Sequence, residues 1–75
     1  MPPTVLIVED TQSLAMMYQS YLLPTGVNTL VASDGKTAID IINKVHPDLI
    51  VLDVMLPDMN GLDILATLEP DNSPQ

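Results

Sequence analysis

Pro47-Asp48-Leu49-Ile50-Val51-Leu52-Asp53 decides the fold of this chain. Four apolar residues run without a polar break and end on a carboxylate. Such a short run fits either a strand or a buried helix turn. Pro47-Asp48 before it and Pro57-Asp58 after it favour the strand. A strand that is apolar at every position must be covered on both faces, which is the habit of parallel sheets in α/β folds. Asp53 then stands at the carboxyl end of a buried parallel strand, where open α/β sheets place their ligands.

Working outward, Thr4 to Val8 is a second continuous apolar run, and it too ends on acids, Glu9-Asp10. It reads as the first strand. Thr11 to Leu23 carries Leu14, Met17, Tyr18, Tyr21 and Leu22 at the spacing of a helix with one buried face. Asp10 or Thr11 is placed to cap it. Pro24 ends it and Gly26 supplies the turn. Val27 to Ala32 is a weaker, more polar strand, expected at a sheet edge. Ser33-Asp34-Gly35 signals a second helix, running to about Val45 with Ala38, Ile41, Ile42 and Val45 on one face. Asp40 and Lys44 form an exposed i,i+4 pair on it. Asn60 to Asp63 opens a third helix to about Leu68, with Leu62, Leu65 and Leu68 expected inward. Residues 69–75 are polar and Pro-rich and read as a tail. The order is βαβαβα, and right-handed crossovers put all three strands in one parallel sheet.

Composition narrows the function. Seventy-five residues make one small domain, and 47% of them are hydrophobic, with two Tyr and no Phe or Trp, so the core is aliphatic. There is no Cys for a disulfide or a thiolate metal site. Ten acids against two basic residues give a net charge of −8. That argues against direct nucleic-acid binding, which needs a basic face. It favours cations or a basic partner surface. No apolar run approaches the roughly 18 residues of a membrane span, and Met1-Pro2-Pro3 does not begin a secretory signal.

The chemistry lies where the two apolar strands end. If they are neighbours, Glu9, Asp10 and Asp53 converge at one sheet edge. Carboxylates so placed repel one another, and some pKa values rise unless a cation is present. Oxygen-only donors suit a hard cation such as Mg2+. A carboxylate beside it can act as nucleophile toward a phosphoryl group. The blander readings are a helix cap for Asp10 and a turn residue for Asp53. His46 reads as a surface residue at the end of the second helix, where positive charge is favoured. Met16, Met17, Met55 and Met59 read as core or loop filler.

The chain resembles the first half of a response-regulator receiver domain, the flavodoxin-like phosphoacceptor module of two-component signalling. The matching stretches are Val5-Leu6-Ile7-Val8-Glu9-Asp10, Ala32-Ser33-Asp34-Gly35 with Ala38, and Pro47 through Asp53 continuing as Val54-Met55-Leu56-Pro57-Asp58-Met59-Asn60-Gly61. The likeness spans about residues 4 to 68. It implies that Asp53 is the phosphoacceptor. It implies that Glu9, Asp10, Asp53 and the backbone carbonyl of Met55 hold Mg2+, with Pro57 and Gly61 shaping the loop. The implied phosphodonor is a histidine kinase or phosphotransfer protein, and the implied location is the cytoplasm. Val8-Glu9-Asp10-Thr11, Ser20-Tyr21-Leu22 and Leu56-Pro57-Asp58-Met59 further resemble receivers of quorum-sensing, enhancer-binding transcriptional activators.

The resemblance also carries a departure. A complete receiver has five βα units, a Ser or Thr ending strand 4 and a Lys ending strand 5. Lys36 and Lys44 do not match that Lys. The expected architecture is therefore a single truncated receiver domain over residues 1–75, with its core at 4–68, a polar tail at 69–75 and strand order 2-1-3. Strand 3 would be a bare apolar edge that templates pairing. A two-fold homodimer through Leu49, Ile50, Val51 and Leu52 would give a sheet 2-1-3-3′-1′-2′. A fragment of a longer protein is the other reading. An enzyme is not expected beyond Mg2+-dependent self-phosphorylation from a phosphodonor. A phosphohydrolase would carry Asp-x-Asp where Met55 stands, and a nucleotide hydrolase would need a G-x-x-x-x-G-K-[ST] loop that is absent.

Overall fold

The computed structural model describes residues 2–53 and 56–68. Their elements run β1 (Thr4–Val8), α1 (Gln12–Leu22), a 3-10 turn (Leu23–Thr25), β2 (Asn28–Ala32), α2 (Gly35–Val45), β3 (Leu49–Leu52) and α3 (Gly61–Leu68). The strands form one parallel sheet in the order β2-β1-β3. The expected βαβαβα order and strand order both hold. The polar tail lies outside the described residues.

Register follows from hydrogen bonds at the strand ends, one of them to a side chain. Thr4 N–H donates to Asp48 Oδ2 at 2.8 Å, and Asp48 N–H donates to Thr4 O at 2.8 Å. This reciprocal pair sets β3 beside β1, with Val5 opposite Leu49 and Val8 opposite Leu52. Asn28 N–H donates to Pro3 O at 2.9 Å on the other side. β1 is flanked by both other strands, and Val5, Leu6, Ile7 and Val8 are all buried. β3 is bounded by β1 on one side only among the described residues. Its Leu49 is 55% exposed and Ile50, Val51 and Leu52 are half-buried. The full coverage expected of an unbroken apolar strand is realised in β1 and only partly in β3.

The two sheet faces carry separate cores. On one, Leu6, Val8, Ala32, Ala38 and Ile64 are buried together, with Leu30, Ile41, Ile42, Ile50, Leu52, Leu56 and Met59 packed around them. On the other, Val5, Ile7 and Ala15 are buried beneath Tyr18, Leu22, Val27 and Val51.

On two helices the inward face departs in part from the one expected from the sequence. On α1, Leu14 and Met17 are exposed at 39% each and Tyr21 at 72%. The inward stripe is Ala15, Tyr18 and Leu22. Tyr18 and Leu22 turn inward as expected, and Ala15 joins them in place of Leu14, Met17 and Tyr21. Small Ala15 lets the helix backbone approach the sheet, and that position carries no weight in a count of large apolar side chains. On α3, Leu62 is 59% exposed and Ile64 is fully buried. The Leu65 and Leu68 side chains lie outside the described ones. On α2, Ala38, Ile41 and Ile42 turn inward as expected, but Val45 is exposed.

The helix ends follow local chemistry. Thr11, not Asp10, takes the N-cap position of α1, and its side chain makes no capping bond. Asp34 caps α2, its Oδ1 accepting from Thr37 N–H at 2.7 Å. Gly26 has φ +83°, the left-handed geometry that glycine adopts at no steric cost, and closes the turn after α1. His46 is an exposed residue with φ 56° that ends α2, donating its N–H to Ile42 O. No helix among the described residues is long and apolar enough to cross a membrane.

Candidate functional site

The chain lays β2 on one side of β1 and then β3 on the other. The crevice between β1 and β3 is therefore the point where the strand order reverses, and such crevices open at the carboxyl ends of the strands. Glu9 follows β1 directly and Asp53 follows β3 directly. Both are set by continued ladder bonds. Glu9 N–H donates to Ala32 O at 3.0 Å, and Asp53 N–H donates to Val8 O at 3.0 Å. The backbone thus places the two acids side by side before any side-chain interaction is considered.

Carboxylate oxygens of Glu9, Asp10 and Asp53 all lie within 4.8 Å of one another. The three differ in environment. Asp10 is exposed and Asp53 is half-buried. Glu9 is only 6% exposed. Burial pushes the Glu9 carboxyl above its ordinary value of 4.5, and the neighbouring Asp53 charge pushes the same way. The Thr11 N–H, which donates to Glu9 Oε2 at 3.2 Å, opposes this. A buried carboxylate beside two others is a costly arrangement for an apo protein. Three hard oxygen donors converging from two strand ends fit a divalent cation such as Mg2+, which takes one or two carboxylates and keeps several waters.

Of the four residues expected at the site, Glu9, Asp10 and Asp53 come together, and Met55 lies outside the described residues. Pro57 and Gly61 flank the loop that leads into α3. Leu56 N–H donates to Met59 O at 3.3 Å, and Asn60 starts the helix through Leu62 N–H to its Oδ1 at 2.8 Å. Two features escaped the sequence reading. One is a groove of about 410 Å³ beside Glu9 and Asp10, walled by Gln12, Met16, Gln19, Val31 and Ser33. The other is Asp58, whose carboxylate reaches the start of α2. Neither had a signal in residue spacing, because each joins elements far apart in the chain.

Comparison with known proteins points one way. The family model of the response regulator receiver domain matches residues 5–75. The regulatory protein LuxO of Vibrio vulnificus is 49% identical over 63 residues, which is 84% of this chain and 14% of LuxO. The DNA-binding response regulator MtrA of Mycolicibacterium smegmatis is 41% identical over 68 residues, 91% of this chain and 30% of MtrA. Among solved structures, the signal receiver domain of a Vibrio parahaemolyticus protein assigned as a LuxO repressor superimposes with a TM-score of 0.91 at 37% identity. That match covers all of this chain and 58% of the solved one. The response regulator TrrA of Thermotoga maritima, solved in complex with Mg2+ and BeF, gives a TM-score of 0.87. It is 21% identical, over 93% of this chain and 61% of that one, and so shows the fold alone.

Proposed function

Because the chain belongs to the response regulator receiver domain family, we propose that it carries that family's phosphoacceptor site, with Asp53 receiving a phosphoryl group. The convergence of Glu9, Asp10 and Asp53 at the β1/β3 switch point supports this reading. An Asp53 carboxylate oxygen attacks phosphorus on a phosphohistidine. The P–N bond breaks, the imidazole leaves and takes a proton from water, and an aspartyl phosphate remains. Glu9 and Asp10 would hold Mg2+ together with Asp53 and the Met55 carbonyl, and the cation would supply neutralisation of charge on the phosphoryl oxygens. The donor is a histidine kinase or a phosphotransfer protein, and the setting is cytoplasmic. Receivers of this kind act as signalling modules rather than as enzymes with a separate substrate. The relatives support a link to transcription regulation.

Incubation with acetyl phosphate and Mg2+, followed by peptide mass spectrometry, tests the acceptor. A gain of roughly 80 Da, one phosphoryl group, is expected on the peptide carrying Asp53 and lost in Asp53→Ala. Its absence from the wild type with Mg2+ present rejects phosphotransfer and leaves a non-phosphorylatable, self-associating interaction protein.

The β3 edge favours that second activity, whether or not Asp53 is modified. For the 75-residue chain we propose a homodimer in which Leu49, Ile50, Val51 and Leu52 pair with the same strand of a second copy. The support is the exposure of an apolar strand at a sheet edge. Light scattering at micromolar concentration is expected to give twice the 8.1 kDa chain mass. Leu49→Lys, which puts a charge on that edge, is expected to return the monomer mass. A monomeric wild type overturns the pairing.

A further inference from the structure

The groove of about 410 Å³ beside Asp10 is framed by α1 and the end of β2. Its volume falls within the roughly 300–1,000 Å³ of ordinary ligand pockets. Two periodicities set its walls. Gln12, Met16 and Gln19 stand at i, i+4 and i+7 on α1, one line along a helix. Thr29, Val31 and Ser33 alternate along β2 and just past it, and so share one face of the strand. Gln19 Nε2 donates to Thr29 Oγ1 at 3.1 Å and ties the two lines together at one end. Asp10, Gln12 and Ser33 stand at the other. Between the ends, Met16 is 58% exposed and Val31 37%. The groove therefore has an apolar middle and a mouth rich in oxygen acceptors.

Charge around it has one sign. Glu9 and Asp10 line it, and α1 carries no charged residue from Gln12 to Leu22. The chain has two basic residues, Lys36 and Lys44, and both lie on α2. That helix packs on the opposite face of the sheet from α1, and neither lysine lines the groove. Asp10 has oxygens for both the groove and the acidic cluster. One oxygen of each carboxylate accounts for the convergence of Glu9, Asp10 and Asp53, and an ionised carboxylate has two.

Long basic side chains lay an apolar stem on apolar surface and keep the charged head at a polar site. Val31 and Ser33 are about 6.6 Å apart along the strand, comparable with such a stem. A guanidinium presents five donors in a planar fork, whereas an ammonium is a compact point charge. The acceptors of Asp10, Gln12 and Ser33 at one mouth suit the fork.

We propose that this groove docks an arginine side chain carried by a partner protein, with the stem between Met16 and Val31 and the guanidinium at Asp10 and Ser33. The partner surface is basic, opposite in sign to this chain's net charge of −8. The proposal does not depend on phosphotransfer at Asp53.

The test follows the amide NMR shifts of the 75-residue chain during titration with acetyl-Ala-Arg-Ala-amide. A control peptide carries citrulline, uncharged and of the same shape, in place of arginine. Shifts are expected to centre on Gln12, Met16, Val31 and Ser33. The citrulline peptide is expected to bind about tenfold more weakly, the usual worth of a hydrogen bond to a charged group. Val31→Lys, which puts a cation in the groove, is expected to weaken the arginine peptide by about tenfold as well. Met16→Ser removes apolar wall and is expected to cost about threefold; it decides the matter if Val31→Lys does not fold. Binding is expected to persist in millimolar Mg2+. Loss of binding there overturns the groove as a site separate from the acidic cluster. Equal binding of the citrulline peptide overturns the reading of charge. Shifts spread evenly over Asp34, Asp40 and Asp48 mean attraction to an acidic chain at large and overturn the site, as does unchanged affinity in both variants. Spermidine binding the same residues more tightly than the peptide assigns the groove to a free polyamine and overturns the protein partner.

Discussion

Ile64→Ala will cost about 2–5 kcal/mol of stability, the usual range for truncating a buried aliphatic side chain. Ile64 is fully buried against Leu6, Val8, Ala32 and Ala38. It joins α3 to the face of the sheet that α2 also covers. A domain of this size has a total stability of roughly 4–11 kcal/mol, so the substitution removes a large share of it. Leu62→Ala, two residues away on the exposed side of the same helix, is expected to stay within about 0.5 kcal/mol. Urea midpoints at one fixed protein concentration measure both. Ile64→Val, expected to cost about 0.5–1.5 kcal/mol, keeps the comparison open if the alanine variant is unfolded throughout. A Leu62→Ala cost equal to or above that of Ile64→Ala would show that α3 packs by its other face.

Mg2+ and pH should both act on stability at Glu9. Its carboxyl is raised above the ordinary 4.5 by burial first and by the Asp53 charge as well. Folded protein then binds the Glu9 proton more tightly than unfolded protein does. Between the ordinary and the raised value the folded state holds more protons, so stability falls as pH rises through that window. Above the raised pKa the cost is complete and constant. Asp34 behaves oppositely. Its carboxyl is lowered below the ordinary 3.8 by the Thr37 backbone N–H, so its contribution is present above that value and is lost as pH falls below it. In metal-free buffer, Glu9→Gln is accordingly expected to be more stable than wild type at pH 7, with the gain vanishing near pH 4.

A cation reverses the comparison at neutral pH. Mg2+ at ten times its dissociation constant adds about 1.4 kcal/mol by mass action. In a domain of this size that raises the melting temperature by roughly 6–11 °C. Glu9→Gln and Asp53→Ala should gain less, because each removes a charged oxygen donor. Melting curves with millimolar Mg2+ and with chelator, at pH 7 and pH 4, supply the test. Identical curves with Mg2+ and with chelator, in both wild type and Asp53→Ala, would mean that the three carboxylates hold no metal.

The sequence by itself determined more of the site than of the packing. Two apolar runs, Val5 to Val8 and Leu49 to Leu52, each end on acids. Parallel strands put like ends together, so the meeting of Glu9, Asp10 and Asp53 was legible once the strands were taken as neighbours. Asp34 and Gly26 were legible as well, because a cap and a left-handed turn are settled by one or two residues. The helix faces were not. Of the expected Leu14, Met17, Tyr18, Tyr21 and Leu22, only Tyr18 and Leu22 turn inward, joined by Ala15. Close approach to a three-stranded sheet decided for the stripe with the small residue. In α3 the same choice fell to Ile64 over Leu62. The pKa of Glu9 was also decided by the fold, since its largest cause is burial and Asp10, beside it in the chain, stays exposed. The Asp58 hydrogen bonds to Gly35 and Lys36 and the groove beside Asp10 have no counterpart in any local pattern. They exist because the fold brings the start of α2 beside Asp58 and α1 beside the end of β2. Leu49-Ile50-Val51-Leu52-Asp53 specified a strand and a carboxylate at its end. Only the sheet order put that strand at an edge among the described residues, which leaves its Leu49 exposed.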